Sequence, residues 1–207
     1  MAERAYGAPA PPTSTAVVGE SWYGKDIDRE RHTAVLFSAL DMTEVMNRGS
    51  VFTDCTFRRA RFTSSVHTEV AFVNCTFVAC TFFDANFVDC KFVGSMFDGC
   101  MFDAMKAVGG DWSFAGLPGA DLRKAAFNGT RLREVDLTGA RCDGGVLRDV
   151  DLSGAWLHGV NFSRCDLRGS DLSAIEPAHA QLKGAVITTV QALAIAEALG
   201  MDVRPEA

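Results

Sequence analysis

Several features that mark other classes of protein are missing from this sequence. It has no run of about 18 apolar residues, so no membrane-spanning helix is predicted. Its first residues lack a basic region followed by an apolar core, so no secretory signal is expected. It also lacks a phosphate-cradling glycine loop, a nucleophile elbow and paired carboxylates on a recognisable cleft. We therefore predict no enzyme activity, no catalytic residue and no cofactor.

Basic residues are in the minority. The 207-residue chain has 20 Lys and Arg against 26 Asp and Glu, which gives a formal net charge of −6. A net negative chain is not attracted to nucleic-acid phosphates or to anionic membranes, so neither kind of binding is predicted. Seven cysteines in a chain without a predicted export signal favour reduced thiols and a cytoplasmic location.

The sequence does contain a strict five-residue period. Between Ala71 and Phe102 a phenylalanine recurs at every fifth position, and from Phe77 onward a Cys, Ala or Ser stands two positions before each one. Neither a helix face nor a strand alternation has a period of five, so the period belongs to a repeated structural unit. Glycine is frequent two positions after the central residue, where a type II turn needs positive φ.

Two inward residues in every five, with a turn between them, describe a chain that bends at each pentapeptide. Four bends complete a square coil of 20 residues, and stacked coils pair as parallel strands about 4.8 Å apart. We therefore predict an all-β fold, a right-handed quadrilateral parallel β-helix over residues 35–189. Residues 1–21, rich in Ala, Pro, Ser and Thr, are expected to be a disordered tail, and residues 22–34 an irregular cap.

The register weakens at two places within the repeats. At Met105–Gly110 the central residue shrinks to Ala107, which predicts a thin coil that could kink the rod. Near the C-terminal end a proline, Pro177, takes the central position. Because proline removes a ladder donor, this segment is predicted to be an edge or a loop.

The period changes after Ile187. Thr188 or Thr189 can cap a short α-helix over residues 190–200, with Gly200 at its end and residues 201–207 as a tail. Apolar residues lie around most of this helix, and one coil end cannot cover them all. A second copy of the chain is the natural cover. We therefore predict a homodimer through Val190, Leu193, Ile195, Ala196 and Leu199.

Cysteine and histidine positions do not suggest a metal site. Six of the seven cysteines occupy the small slot two positions before a centre. Side chains stacked in such columns point the same way, whereas a metal needs ligands that converge. His67 replaces a central phenylalanine and is interpreted as a core residue rather than a general base. No metal ligand is predicted.

The repeat resembles that of the pentapeptide-repeat family, whose consensus is similar to A(D/N)LXX. Ala120-Asp121-Leu122-Arg123 and Ser170-Asp171-Leu172-Ser173 match it closely. Within the family, the stretches LFSALDM and RGSVFTDCTF and the helical tail resemble the mycobacterial fluoroquinolone-resistance proteins of the MfpA type; the Qnr proteins are more distant relatives. The resemblance implies a rod-shaped dimer that imitates B-DNA, binds DNA gyrase, a type II topoisomerase, inhibits it and protects it from fluoroquinolones.

Acidic residues are concentrated in the middle of the predicted rod. Positions 84–121 hold six acids and two bases, a local net charge of −4. Duplex DNA carries about six charges over the roughly 10 Å that two coils span. Together with the resemblance, this excess predicts a gyrase-binding acidic strip of Asp84, Asp89, Asp98, Asp103, Asp111 and Asp121. A solvated acidic face without a partner is one alternative, and a structural or adaptor solenoid that binds another protein is a second.

Overall fold

The pentapeptide register bends the chain into coils of 20 residues that stack as a parallel β-solenoid. The computed structural model describes residues 10–204. It confirms the predicted right-handed quadrilateral parallel β-helix followed by one short helix. The strands are β1 (Thr15–Val18), β2 (Asp26–Asp28), β3 (Arg31–Thr33), β4 (Val35–Ser38), β5 (Met46–Arg48), β6 (Val51–Thr53), β7 (Thr56–Arg58), β8 (Val66–Thr68), β9 (Ala71–Val73), β10 (Thr76–Val78), β11 (Asn86–Val88), β12 (Met96–Asp98), β13 (Lys106–Val108), β14 (Ala126–Asn128) and β15 (Val146–Arg148), and the helix is α1 (Thr189–Ala198).

Four faces surround the core, and we name them A to D in the order in which the chain visits them. The A face is the sheet β1-β4-β7-β10-β12, the C face is β2-β5-β8-β11-β13-β14-β15, and the D face is β3-β6-β9. The B face is held by isolated parallel bridges such as Ser21↔Asp41 and Thr81↔Met101. Paired residues are always 20 positions apart, as in Phe57↔Phe77, so one central residue stands above another along each face.

The central residues form columns of stacked rings inside the rod. Phe57 and Phe77 have ring centroids 4.9 Å apart with planes only 6° from parallel, and Phe72 and Phe92 stack at 4.7 Å. Thirteen of the fifteen phenylalanines are buried. Each such ring stabilises the fold by about 2 kcal/mol. The stack of coils, rather than any single coil, therefore holds the molecule together.

In several of the small slots before a centre, a Cys or Ser side chain donates to a carbonyl of the preceding coil. Cys75 Sγ donates to the carbonyl of Phe52 at 3.4 Å, and Ser95 Oγ donates to that of Phe72 at 2.8 Å. Most of these slots hold small side chains because two coils are separated by one strand spacing, although Leu40 and Met105 are also buried in this slot. All seven cysteines are free thiols, and burial raises the pKa of Cys90 to about 12.

Most corners of the square have a left-handed residue two positions after the centre; Lys124 and Ala174 are exceptions. Gly94 and Gly99 have φ of +66° and +59°, as the sequence predicts, but Asp84 adopts +54° at an equivalent corner. In the described residues, seventeen non-glycine residues have positive φ. The fold therefore favours the conformation and tolerates its cost in other residues. Gly110, three positions after the centre Ala107, also has a steric reason, because a Cβ there would lie 2.1 Å from the carbonyl oxygen of Cys90.

The N-terminal predictions are wrong for the residues that the structure describes. Instead of a disordered tail over 1–21, β1 pairs with β4, and the N–H of Ser14 donates to the carbonyl of Ala34 at 2.7 Å. Residues 22–34 form a regular coil with Trp22 and Ile27 buried rather than an irregular cap. The sequence suggests an irregular cap because Lys25 and Glu30 occupy small slots. In the first coil no earlier coil presses on these slots, so both side chains stay exposed. Residues 1–9 and 205–207 lie outside the described residues.

Both weak points of the register are accommodated locally. Ala107 pairs in register with Phe87 and Phe127, so β13 continues the sheet. The indole of Trp112 occupies the vacated space, with its centroid 4.0 Å from that of Phe92 and 5.3 Å from that of Phe127. Pro177 lies in a turn, and in the described residues the A-face ladder ends at Trp156, as a residue without an N–H predicts.

The helix α1 closes the C-terminal end of the stack through a capping box. Thr188 is the N-cap, so the helix begins and ends one to two residues before the predicted 190–200. The N–H of Gln191 donates to Thr188 Oγ1, and the N–H of Thr188 donates to Gln191 Oε1 at 2.7 Å. The Gln191 amide also donates to the carbonyls of Leu167 and Ser170 at 2.7 and 2.8 Å. Among residues 10–204, no helix has the length and apolarity needed to span a bilayer.

Candidate interaction surface

The six acids of the predicted strip do not form one line on the rod. Because every face takes one pentapeptide in four, positions that are close in sequence lie on different sides of the square. Asp84, Asp103 and Asp121 lie on or at the edge of the B face. Asp89 follows the C face, Asp98 lies on the A face and Asp111 lies on the D face.

The three B-face acids occupy consecutive coils. The N–H of Asp84 donates to the carbonyl of Asp103 at 3.0 Å, which joins their backbones directly. Asp121 lies one coil further along, and its backbone bridges that of Arg141. Ser64 Oγ donates to the Asp84 carboxylate at 3.3 Å from the coil before. This B-face group is the one set that the structure brings together.

Basic side chains compensate half of the six acids. Lys124 lies 3.1 Å from Asp103, Arg131 lies 3.1 Å from Asp111, and Arg123 lies 2.6 Å from Asp121. Exposed ion pairs of this kind contribute only about 0–1 kcal/mol to stability. Within residues 10–204, no ion pair involves Asp84, Asp89 or Asp98. Their charges are therefore the least compensated of the six.

Two of the paired acids have lowered pKa values. Partial burial of Asp111 opposes its ionisation, but the hydroxyl and N–H of Ser113 and the guanidinium of Arg131 outweigh it and lower the pKa. The hydrogen bond from Arg123 is the main cause that lowers the pKa of Asp121. Both side chains are consequently ionised at neutral pH.

The interior of the rod is filled by side chains. His67 is fully buried on the C face, and burial lowers its pKa to about 3. Its Nε2 lies 3.0 Å from Ser65 Oγ, and its ring stacks on Phe87 at 4.9 Å. Among the described residues, no three His, Cys, Asp or Glu side chains are arranged to hold a metal ion.

The five apolar residues predicted for the dimer interface divide into two sets. Val190, Leu193 and Leu199 are exposed, with three-quarters of Val190 accessible. Ile195 packs partly against the core and Ala196 is half-buried. The exposed set leaves an apolar surface at the C-terminal end of the rod.

Three residues of interest were not predicted from the sequence. Phe83 and Met101 are exposed on the B face beside the acids. The signal for Phe83 is the doublet Phe82-Phe83, in which the second ring falls outside the central slot. The signal for Gln191 is its place three residues after Thr188, which completes a capping box.

Comparison with known proteins supports the repeat assignment. The model of pentapeptide repeats (8 copies) matches residues 117–154 and 146–174. A trypsin-treated variant of QnrB1, a plasmid-mediated fluoroquinolone resistance protein, superposes with a TM-score of 0.68 at 22% identity, over 93% of this chain and 99% of that one. Full-length QnrB1 superposes with a TM-score of 0.61 at 23% identity, over 91% of this chain and 99% of that one. At such identities the likeness establishes the fold. No curated protein sequence matches the chain significantly.

Proposed function

We propose that this chain is a pentapeptide-repeat protein that acts without catalysis, as a cytoplasmic protein that binds DNA gyrase in place of DNA. Binding would inhibit or modulate the enzyme and protect it from fluoroquinolones. The fold shared with a fluoroquinolone resistance protein over nearly the whole of both chains supports this proposal. So does the resemblance of the stretches LFSALDM and RGSVFTDCTF and of the helical tail to the MfpA-type branch of the family.

The observation that carries the proposal is the B-face group of Asp84, Asp103 and Asp121. These carboxylates stand on three consecutive coils, so along the rod axis they are separated by the strand spacing of about 4.8 Å, and across the face they are offset by one to two residues. Phosphates along one DNA strand are separated by about 3.4 Å along the helix axis, so the acids repeat on a similar scale. A basic groove that binds DNA would meet Asp84 without a cation paired to it in residues 10–204, and would compete with Lys124 for Asp103 and with Arg123 for Asp121.

The experiment compares two triple variants that remove the same charge from different faces. Asp84, Asp103 and Asp121 are changed to Asn in one variant, and the off-face acids Asp89, Asp98 and Asp111 are changed to Asn in the other. We expect the first to raise the concentration that half-inhibits gyrase supercoiling by about tenfold, and the second to change it far less. The difference should shrink as salt rises, because exposed charges beyond about 10 Å are screened at 0.1 M.

The outcomes separate the proposal from its rivals. Equal loss in both variants would mean that net charge, not the B face, determines binding. Unchanged inhibition by the first variant would refute the acidic mechanism. Absence of any effect of the parent protein on supercoiling would refute gyrase binding and favour an adaptor solenoid with another protein partner.

We also propose that the protein is a homodimer joined at the C-terminal end. Support comes from the exposed apolar set Val190, Leu193 and Leu199 on a helix that closes the stack. Leu193→Glu should yield a monomer in sedimentation, because a carboxylate would be buried without a partner. Lys183→Glu, an exposed change of larger charge on the last coil, should leave the dimer intact. If Leu193→Glu remains dimeric, the interface lies elsewhere.

A further inference from the structure

The B face carries two exposed apolar side chains next to its acids. Phe83 is 50% accessible and Met101 is 55% accessible. Thr81 bridges Met101 across adjacent coils, so Phe83, two residues after Thr81, lies diagonally from Met101 at roughly 8 Å by strand spacing and rise. The two side chains therefore occupy neighbouring coils on one face, near Asp84 and Asp103.

The residues at the equivalent positions of the other coils on this face are polar. The outward column of Phe83 holds Tyr23, Thr43, Thr63, Asp103, Arg123, Asp143, Ser163 and Lys183. The column of Met101 holds Ser21, Asp41, Arg61, Thr81, Asp121, Arg141, Asn161 and Gln181. Met101 is thus the single large apolar residue in its column. Phe83 is the one phenylalanine of fifteen that the described structure leaves exposed, since thirteen are buried and Phe114 is half-buried.

We propose that Phe83 and Met101 are the apolar anchors of the B-face binding surface, and that the partner surface is basic with an apolar pocket between its cations. This inference rests on the proposed binding of gyrase and assigns part of the affinity to contacts that DNA phosphates cannot make. Aromatic residues and methionine are enriched in protein interfaces, and a few such anchors dominate the binding energy. The acids at the edge determine the sign of the partner's charge.

The chemistry distinguishes two contributions to binding. Charge–charge attraction weakens as salt rises, because counterions screen exposed groups. Burial of Phe83 and Met101 removes apolar surface from water, a contribution that salt does not weaken in this way. Anchors beside acids would thus keep the complex together at ionic strengths that weaken a purely electrostatic mimic. They would also favour a protein groove over other cationic surfaces.

The test uses a double variant and a matched control of exposed apolar residues on other faces. Phe83→Gln with Met101→Gln removes the anchors, whereas Val18→Gln with Val108→Gln removes apolar surface from the A and C faces. All four side chains are at least partly exposed, so circular dichroism should show both variants folded. We expect the anchor variant to need about tenfold more protein for half-inhibition of gyrase, a loss of about 1.4 kcal/mol. The concentration for half-inhibition should rise with salt by the same factor for the anchor variant and the parent, because the variant keeps every charged contact.

Each result has a defined meaning. The control pair should inhibit gyrase like the parent; an equal loss in both pairs would overturn the assignment of Phe83 and Met101 as anchors. Equal potency of the anchor variant and the parent would overturn it too, while leaving gyrase binding in place. A parent protein without effect on gyrase would overturn the proposed function itself, and this inference with it.

Discussion

The buried histidine of the C face makes the stability of the rod sensitive to mild acid. His67 stands in a column where phenylalanine or leucine is usual, and burial lowers its pKa to about 3 from an ordinary 6.5. Ser65 Oγ donates to the carbonyl of Phe62 at 2.7 Å, so it accepts from His67 Nε2. In residues 10–204, His67 Nδ1 has no hydrogen-bond partner, and neither does the neighbouring side chain of Asn47. Desolvation of the fully buried ring is what disfavours the imidazolium.

The sign of the effect follows from the two protonation states. Between pH 6.5 and about 3 the unfolded chain binds a proton at His67 that the folded chain does not. The contribution of neutral His67 to the free energy of unfolding is complete above pH 6.5 and is lost as the pH falls from 6.5 towards 3. At 1.36 kcal/mol per unit, the free energy of unfolding should drop by about 2 kcal/mol between about pH 7.5 and about pH 5.

The assay is urea denaturation of the parent and of His67→Phe at these two pH values, followed by far-UV circular dichroism. On acidification, the free energy of unfolding should fall by about 2 kcal/mol less for the variant than for the parent, because phenylalanine cannot bind a proton at this position. Comparing each protein with itself cancels any packing change caused by the larger ring. His158→Asn, at an exposed histidine, is the control and should behave like the parent. An identical acid loss in the parent and in His67→Phe would refute the reasoning.

Three further predictions concern the rest of the stack. Phe87→Asp should abolish cooperative folding in circular dichroism, because it buries a carboxylate in place of a ring worth about 2 kcal/mol; a folded variant of equal stability would contradict the register. In native protein, thiol labelling should reach Cys100 first, since it is the one cysteine that is not fully buried; rapid labelling of several others would count against their inward packing. Gln191→Ala should destabilise the C-terminal coil by about 1–3 kcal/mol, because it leaves the carbonyls of Leu167 and Ser170 unpaired, and faster hydrogen exchange confined to that end would show it.

Several properties of this protein follow from the sequence alone. A large central residue and a small residue that recur every five positions fit neither a helix face nor a flat strand. The period therefore determines the coil, the inward residues and the parallel stacking. The same register places Phe77 above Phe57 and Cys75 above Cys55 before any coordinates are known. Local chemistry also predicts the C-terminal helix, because a cap and a change of period depend on neighbouring residues.

Other features depend on contacts between residues 20 positions apart, and only the tertiary structure shows them. A small slot is restricted by the preceding coil, so Lys25 and Glu30 are allowed in the first coil, and the rod begins earlier than the local pattern predicts. Trp112 compensates for Ala107 from the adjacent face. The acids that a linear count groups together are separated around the square, and Asp121 is paired with Arg123 and Arg141 on its own face. The pentapeptide period orients each side chain inward or outward, whereas its neighbours across coils determine whether an outward charge is available to a partner.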